Sequence, residues 1–499
     1  MKTLLFIFLL NVIRIIKTKQ EINHKFEEYK NEVREKIMRN SLYCAEYLTE
    51  LYDSEKFLNF LQDDTKMEVS RLMRSISLQD SPTRFFCDKF KTNINDFPRE
   101  AQSENIPWSG FYWPIKVGLI SARYCNNEKN SIRNPTTGKA FKWIDSISYY
   151  RQPQDYLSNV KTDNFEEYVN NYYSPSEKYD LLVGDYNFTL TNKMKQEGNY
   201  VVKDEDGDVP EWMGICHGWA PASYLYKAPV KAAKVMAADG KTMIEFLPDD
   251  IKALATLFWA ETRYKTRFMG GRCKYTDIKE IPSDPETGIW EEDTCYSVNP
   301  ASFMIVLGNQ IGIRRKNLVF DPEINGEIWN QPVYGYRLRY YNLLTDEVHK
   351  TPSQSKVLIS KVQSLNNKLF NYMISKKDPK SQFYLAVNIT VDFVYENFPY
   401  HGIKPSRNTN QQISYSFVLE LDENENITGG EWLDNFHPNF IWTLDERDLN
   451  RKYDEDKMVE SFNGSVEDLH KLTNVAIAAS ENKKVLKAIV DYLVEKSAS

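Results

Sequence analysis

Trp212-Met213-Gly214-Ile215-Cys216-His217-Gly218-Trp219-Ala220-Pro221-Ala222 lies between a polar turn, Lys203 to Asp208, and an Ala-rich run that suits a helix. The pattern puts a Cys where a loop ends and a helix opens. Backbone N–H groups and the helix dipole at such a point favour a thiolate. The same N–H groups can hold a developing oxyanion, and Trp212 and Trp219 are candidate walls of the cleft. A buried Cys at a tight Gly turn gives the same local pattern, so the surroundings of the thiol decide between the two.

Outward from this stretch, the elements alternate in type. Ser174-Pro175-Ser176-Glu177 has the order of a helix start, with a Ser cap, Pro at the first position and Glu three residues on. Cys216 is expected to open a helix reaching Tyr226. Pro248-Asp249-Asp250 opens another, with acids at its positive end, running to about Tyr264. Phe303 to Leu307 is a short apolar run that fits a buried strand. Leu318-Val319-Phe320 predicts a second strand ending in Asp321, and Trp329 to Tyr341 a third. Val357 to Ile374 reads as one helical stretch, 383–395 and 413–421 as strands, and 464–497 as helical.

The chain has 499 residues, 41% hydrophobic and 27% charged, with a net charge of −7. Core material is plentiful and disorder is not expected. The acidic balance leaves no electrostatic footprint for nucleic acid. Eleven mostly apolar residues separate Lys2 from Arg14, too few to span a bilayer and suited to a signal peptide over 1–17. The chain is therefore expected to be secreted or at the cell surface, and not transmembrane. Residues 21–80 carry Leu and Tyr at three- and four-residue spacing, which predicts amphipathic helices, either a pro-region or a packed domain. Six Cys are present. With Cys216 free, Cys273 with Cys295 is the first disulfide candidate and Cys87 with Cys125 the second.

Five segments, in order, resemble the oomycete-type transglutaminase elicitor family. They are Ser174 to Asp185, Cys216-His217-Gly218-Trp219-Ala220-Pro221-Ala222, Asp250-Ile251-Lys252-Ala253-Leu254, Asn299-Pro300-Ala301-Ser302-Phe303, and Ile328-Trp329-Asn330-Gln331-Pro332-Val333-Tyr334-Gly335-Tyr336. The last is similar to the surface peptide by which plants sense these enzymes, so Trp329, Asn330, Gln331 and Pro332 mark an elicitor-like segment. The resemblance runs from about Trp108 to about Trp442. It implies an α/β (α+β) fold with a papain-like or transglutaminase-like cysteine core over 101–350. A helical N-terminal region over 18–100 would precede that core, with a β-rich extension over 351–450 and C-terminal helices over 451–499 after it.

The activity it implies is protein-glutamine γ-glutamyl transfer. Cys216 would attack a Gln carboxamide, ammonia would leave, and an amine would resolve the thioester. Protein substrates with accessible Gln and Lys, among them wall or matrix proteins, would be the partners. Asp321 matches the place of the orienting acid. The base is the departure. The family pattern puts its His after Phe303, where this chain has Met304, and a thioether cannot shuttle a proton. His437, His401 and His217 are the candidate replacements. Two alternatives stand beside the enzyme: a non-catalytic relative that keeps the fold for binding, and a papain-like protease that uses water as acceptor. The resemblance also implies Ca2+. The Asp204–Asp208 turn, however, has Gly207 fourth and Ile215 twelfth, where a calcium loop of the EF-hand type needs Gly sixth and Glu twelfth. No Cys/His metal spacing occurs.

Overall fold

The computed structural model describes residues 90–124, 165–199, 201, 209–445 apart from scattered single positions between 263 and 406, and 461–498. The chain divides into two units, Met1–Lys89 and Phe90–Ser499, and all described residues belong to the second. The expected signal peptide, the helices of 21–80, Cys87, Cys125 and the acidic turn at 204–208 lie outside the described residues.

The first three α-helices among the described residues are short: α1 (Phe165–Tyr172), α2 (Pro175–Leu182) and α3 (Thr189–Gln196). Ser174 caps α2, with its hydroxyl on the Glu177 N–H and the Glu177 carboxylate on the Ser174 N–H, as the Ser-Pro-x-Glu order predicts. The thiol follows at the start of α4 (Cys216–Leu225), and α5 (Pro248–Glu261) packs along it. That packing fixes Gly218, because a Cβ there would stand 2.3 Å from the Thr256 carbonyl oxygen on α5.

The next helix, α6 (Pro300–Leu307), corrects the sequence expectation of a strand at Phe303–Leu307. Asn299 caps it by accepting from the Ala301 N–H, and Pro300 presets its first turn. All eight residues are buried, so no polar face interrupts the apolar run and its 3.6-residue period cannot be read. The stretch Val357–Ile374 is likewise divided. Val357–Leu358 is a short strand, α7 (Ile359–Gln363) follows, and Asn367 caps a separate α8 (Lys368–Lys376). The chain ends in α9 (Val466–Glu481) and α10 (Lys487–Ala498).

The strands are β1 (Glu100–Gln102), β2 (Ala233–Met236), β3 (Met243–Phe246), β4 (Thr266–Gly270), β5 (Leu318–Asp321), β6 (Gln331–Tyr341), β7 (Val348–His349), β8 (Val357–Leu358), β9 (Phe383–Tyr395), β10 (Thr409–Leu421), β11 (Ile427–Trp432) and β12 (Phe440–Leu444). Among the described residues, β2 and β3 form a hairpin of their own. The rest join one sheet in the order β11-β10-β9-β6-β5-β12-β4, with β1 and β7 on β6 and β8 on β9. Thus β12 is inserted between two strands that precede it in the chain. The sheet also crosses position 350, since β6 pairs with β9. The chain is therefore a mixed helix-and-strand protein with its longest strands in one sheet. One apolar cluster gathers α2, α4, α5, α9 and α10 around Cys216.

Candidate active site

The loop before Cys216 is held by pairing with the aromatic stretch Phe111-Tyr112-Trp113. Ile215 N donates to the Tyr112 carbonyl at 2.7 Å and Ile115 N to the Met213 carbonyl at 2.9 Å. Gly214 permits this approach, because a Cβ would meet the Tyr112 oxygen at 2.3 Å. Cys216 is then the first residue of α4. First-turn N–H groups of a helix have no partner within it, so the thiol sits beside donors and the positive end of the dipole. Its exposure is 5%, and burial pushes the thiol up to about 11 despite the hydrogen bonds that oppose the shift.

The sheet brings the partners. Asn330, immediately before β6, donates from Nδ2 to Cys216 Sγ at 3.3 Å. The Asn330 Oδ1 accepts from Trp442 Nε1 at 2.8 Å, which fixes the amide with its NH2 toward sulfur. The Ile328 carbonyl faces the thiol at 3.9 Å. Gln331, the first residue of β6, donates to both carboxylate oxygens of Glu396 at 2.8 and 2.9 Å. Loss of hydration raises Glu396 to about 7. Asp321, the last residue of β5, is fully buried. Burial raises it to about 8, against the opposing bond from Asn439 Nδ2 at 3.1 Å. Both carboxyls lie within electrostatic reach of the thiol.

Asn439 is itself held on every side. Its N–H donates to the Asp321 carbonyl at 3.0 Å, its carbonyl accepts from Gly271 N at 3.3 Å, and its Oδ1 accepts from Ser297 Oγ at 3.0 Å. Gly271 precedes Cys273 by two positions, and Ser297 follows Cys295 by two. The Cys273–Cys295 disulfide is formed, as expected, and it ties together the two segments that grip Asn439. Replacing both Cys by Ser is expected to lower stability in a urea titration by about 3 kcal/mol, the value for a loop of this size.

Structure also places the other candidates. Trp219 is fully buried and donates from Nε1 to the Trp108 carbonyl at 3.2 Å, while Trp212 is half-buried in the loop before Cys216. Trp329 is half-buried, donates to Glu327 at 2.9 Å, and meets Tyr112 edge-on at 5.1 Å. Pro332 lies in β6 opposite Val319. Met304 is fully buried in α6, which packs on β10 and β11; the apolar cluster around Cys216 does not include it.

His437 stacks on Trp432 with centroids 5.1 Å apart and has its Nδ1 3.3 Å from the Pro438 carbonyl; burial lowers it to about 4. His401 stands edge-on to Tyr124, and burial with the nearby Lys178 lowers it. The exposed His217 reaches the backbone of Ala260. The thiol's hydrogen bonds among the described residues go to Asn330 and Ile328. No group of three or more His, Cys, Asp or Glu side chains comes together as a metal site among the described residues. Among the same residues no helix is long and apolar enough to cross a membrane.

Sequence reasoning missed Trp442, Asn439 and Glu396, and placed Asn330 and Gln331 only as part of a family segment. Each reaches the site from far along the chain; Asn330 and Cys216 are 114 positions apart, a pairing with no local signal.

The transglutaminase elicitor family model matches residues 80–453. The chain belongs to the transglutaminase elicitor family. Among solved structures the chain is similar to one described as the crystal structure of the GP42 transglutaminase from Phytophthora sojae, with a TM-score of 0.48 at 20% identity, covering 79% of this chain and 96% of that one. No curated protein matches.

The raised carboxyls give this family member a pH signature. Asp321 holds its proton more tightly when folded than an ordinary carboxyl, near 3.9, does when unfolded. The native state therefore binds more protons than the unfolded state between about 4 and about 8, and stability falls as pH rises through that window. Urea midpoints at pH 5 and pH 8 should differ in that direction, and Asp321→Asn should flatten the difference.

Proposed function

We propose that this chain is a protein-glutamine γ-glutamyltransferase that works through a Cys216 thioester. The observation that carries the reading is the Asn330 amide on Sγ at 3.3 Å, clamped by Trp442 at the first turn of α4. An N–H donor aimed at sulfur stabilises thiolate over thiol, which a purely structural Cys does not require.

The steps then follow from the charges around the thiol. Glu396 is ionised above about 7 and Asp321 keeps its proton up to about 8. Near neutrality one acid accepts the thiol proton and the other donates to the leaving group, roles that environment assigns to paired carboxylates. Sulfur attacks the carboxamide carbon and the oxyanion faces the α4 N–H groups. Ammonia leaves with the donated proton, and a primary amine displaces sulfur to form the amide. Burial raises the thiol well above the carboxyl that would accept its proton, so proton transfer is uphill and turnover is slow beside a Cys–His enzyme. Secretion agrees with the disulfide and with the family, and substrates would be extracellular proteins with accessible Gln.

The thiol's hydrogen bonds among the described residues go to an amide and a backbone carbonyl rather than to a His, which favours a second reading, a fold kept for binding alone. One experiment separates them: incorporation of a fluorescent primary amine into a Gln-rich protein, with calcium and with chelator. Incorporation that rises from pH 6 to pH 8 supports the acyltransferase. No incorporation under either condition leaves the binding reading. Met304→His is expected to add no activity, since α6 packs on β10 and β11.

A further inference from the structure

The connection between β9 and β10 exposes large apolar side chains that nothing described so far uses: Phe398 is 70% exposed, Tyr400 56% and Ile403 64%. An exposed apolar loop that is free to move would hide these groups. This one is pinned. Asn397 N donates to the Gly110 carbonyl at 2.7 Å and its side chain to the Arg407 carbonyl at 2.8 Å. Tyr400 N donates to Asp249 at 2.6 Å, and Thr409 N to Ser109 Oγ at 2.7 Å.

The patch is also continuous with the thiol. Phe398 lies 5.2 Å from Phe111, Phe111 4.8 Å from Tyr112, and Tyr112 5.1 Å from Trp329, ring to ring. Phe111, Tyr112 and Trp329 are each half-buried. Trp329 adjoins Asn330, whose amide touches Sγ, and Phe398 follows Glu396 by two residues. A pinned, exposed apolar surface that ends beside a reactive atom matches what an extended substrate segment needs: backbone reach along the surface and a rigid aromatic anchor at its far end.

We propose that the track from Trp329 to Phe398 is the docking surface for the glutamine-bearing segment of a protein substrate, and that it takes an aromatic side chain displaced from the reactive Gln. This rests on the acyltransferase reading of Cys216. Three ring-to-ring steps of about 5 Å are covered by about four or five residues of extended peptide, which sets the spacing between Gln and anchor. The occupant is an extended segment, since the aromatic rings succeed one another in single steps of about 5 Å from Trp329 to Phe398.

Two assays test this with acetylated ten-residue peptides carrying one Gln and either Phe or Ala four residues away, on each side in turn. The first measures anisotropy of the labelled peptides on Cys216→Ala. The second measures amine incorporation by the chain with Cys216 intact. The Phe peptide is expected to bind about tenfold tighter than the Ala peptide on one side, the size of one buried aromatic side chain. Phe398→Ser should bring that ratio to about one, and Phe398→Leu should keep most of it. Equal affinity for the two peptides, or a preference unchanged in Phe398→Ser, overturns the proposal. Aromatic preference in binding without any amine incorporation by the intact chain would keep the docking surface and remove the acyltransferase.

Discussion

Cys216→Ser is expected to abolish amine incorporation, by on the order of a thousandfold or more, while leaving the fold within about 1 kcal/mol of the parent. The two halves of that expectation have separate causes. A Ser hydroxyl at the start of α4 still accepts from Asn330 Nδ2 and still fits the space of a thiol, so neither the amide nor Trp442 Nε1 is orphaned. The hydroxyl, however, is a far weaker acid than a thiol, and among the described residues no His hydrogen-bonds to the thiol to take its proton. Asn330→Leu separates the same contributions from the other side. It keeps the nucleophile but removes a donor to developing charge, worth about 1.5 to 3 kcal/mol, and leaves Trp442 Nε1 unpaired. Its activity should drop by roughly ten- to a hundredfold with a measurable loss of stability. If Cys216→Ser keeps parental incorporation, the nucleophile lies elsewhere and the thiol is structural.

The second large effect is on stability. Lys178 Nζ and Asp250 Oδ2 stand 2.6 Å apart, with side chains 0% and 1% exposed. Lys178 also donates to the Glu245 carbonyl at 3.0 Å. Asp250 also accepts from Tyr124 Oη and from Leu247 N, each at 2.8 Å. The pair thus links α2, the β3 strand, the first turn of α5 and the Tyr124 segment. Removing one partner of such a pair leaves a buried charge, at a cost of about 3 to 5 kcal/mol. Lys178→Met is expected to lose that much in a urea or thermal titration. Lys178→Met with Asp250→Leu should lose less, because no charge remains buried. A single variant within about 1 kcal/mol of the parent would show that water reaches Asp250.

The nucleophile helix, the helical C-terminal stretch, the strand ending in Asp321 and the strand that follows Asn330 were legible because each shows its signal locally: a cap, a period or an alternation. The α6 helix was not, because burial on all sides removes the period. Nor were the partners of the thiol. Asn330 and Trp442 are 112 positions apart, and only the insertion of β12 beside β5 brings them together. Position in a family segment pointed to residue 304, whereas the carboxyls within electrostatic reach of sulfur, Asp321 and Glu396, come from the end of β5 and from just after β9.

The late position of the last helices has a consequence for how the molecule is made. Leu486 N donates to Tyr179 Oη at 2.9 Å, Tyr226 Oη to Asp491 at 2.7 Å, and Val230 N to the Ser497 carbonyl at 3.0 Å. Leu469, Ile489, Val490 and Leu493 belong to the same apolar cluster as Cys216. A chain emerging from the ribosome therefore cannot complete the surroundings of its thiol until α9 and α10 have been made, because both helices are walls of that compartment. Contacts this distant close slowly, and until they close the sulfur remains open to oxidants and to stray disulfides.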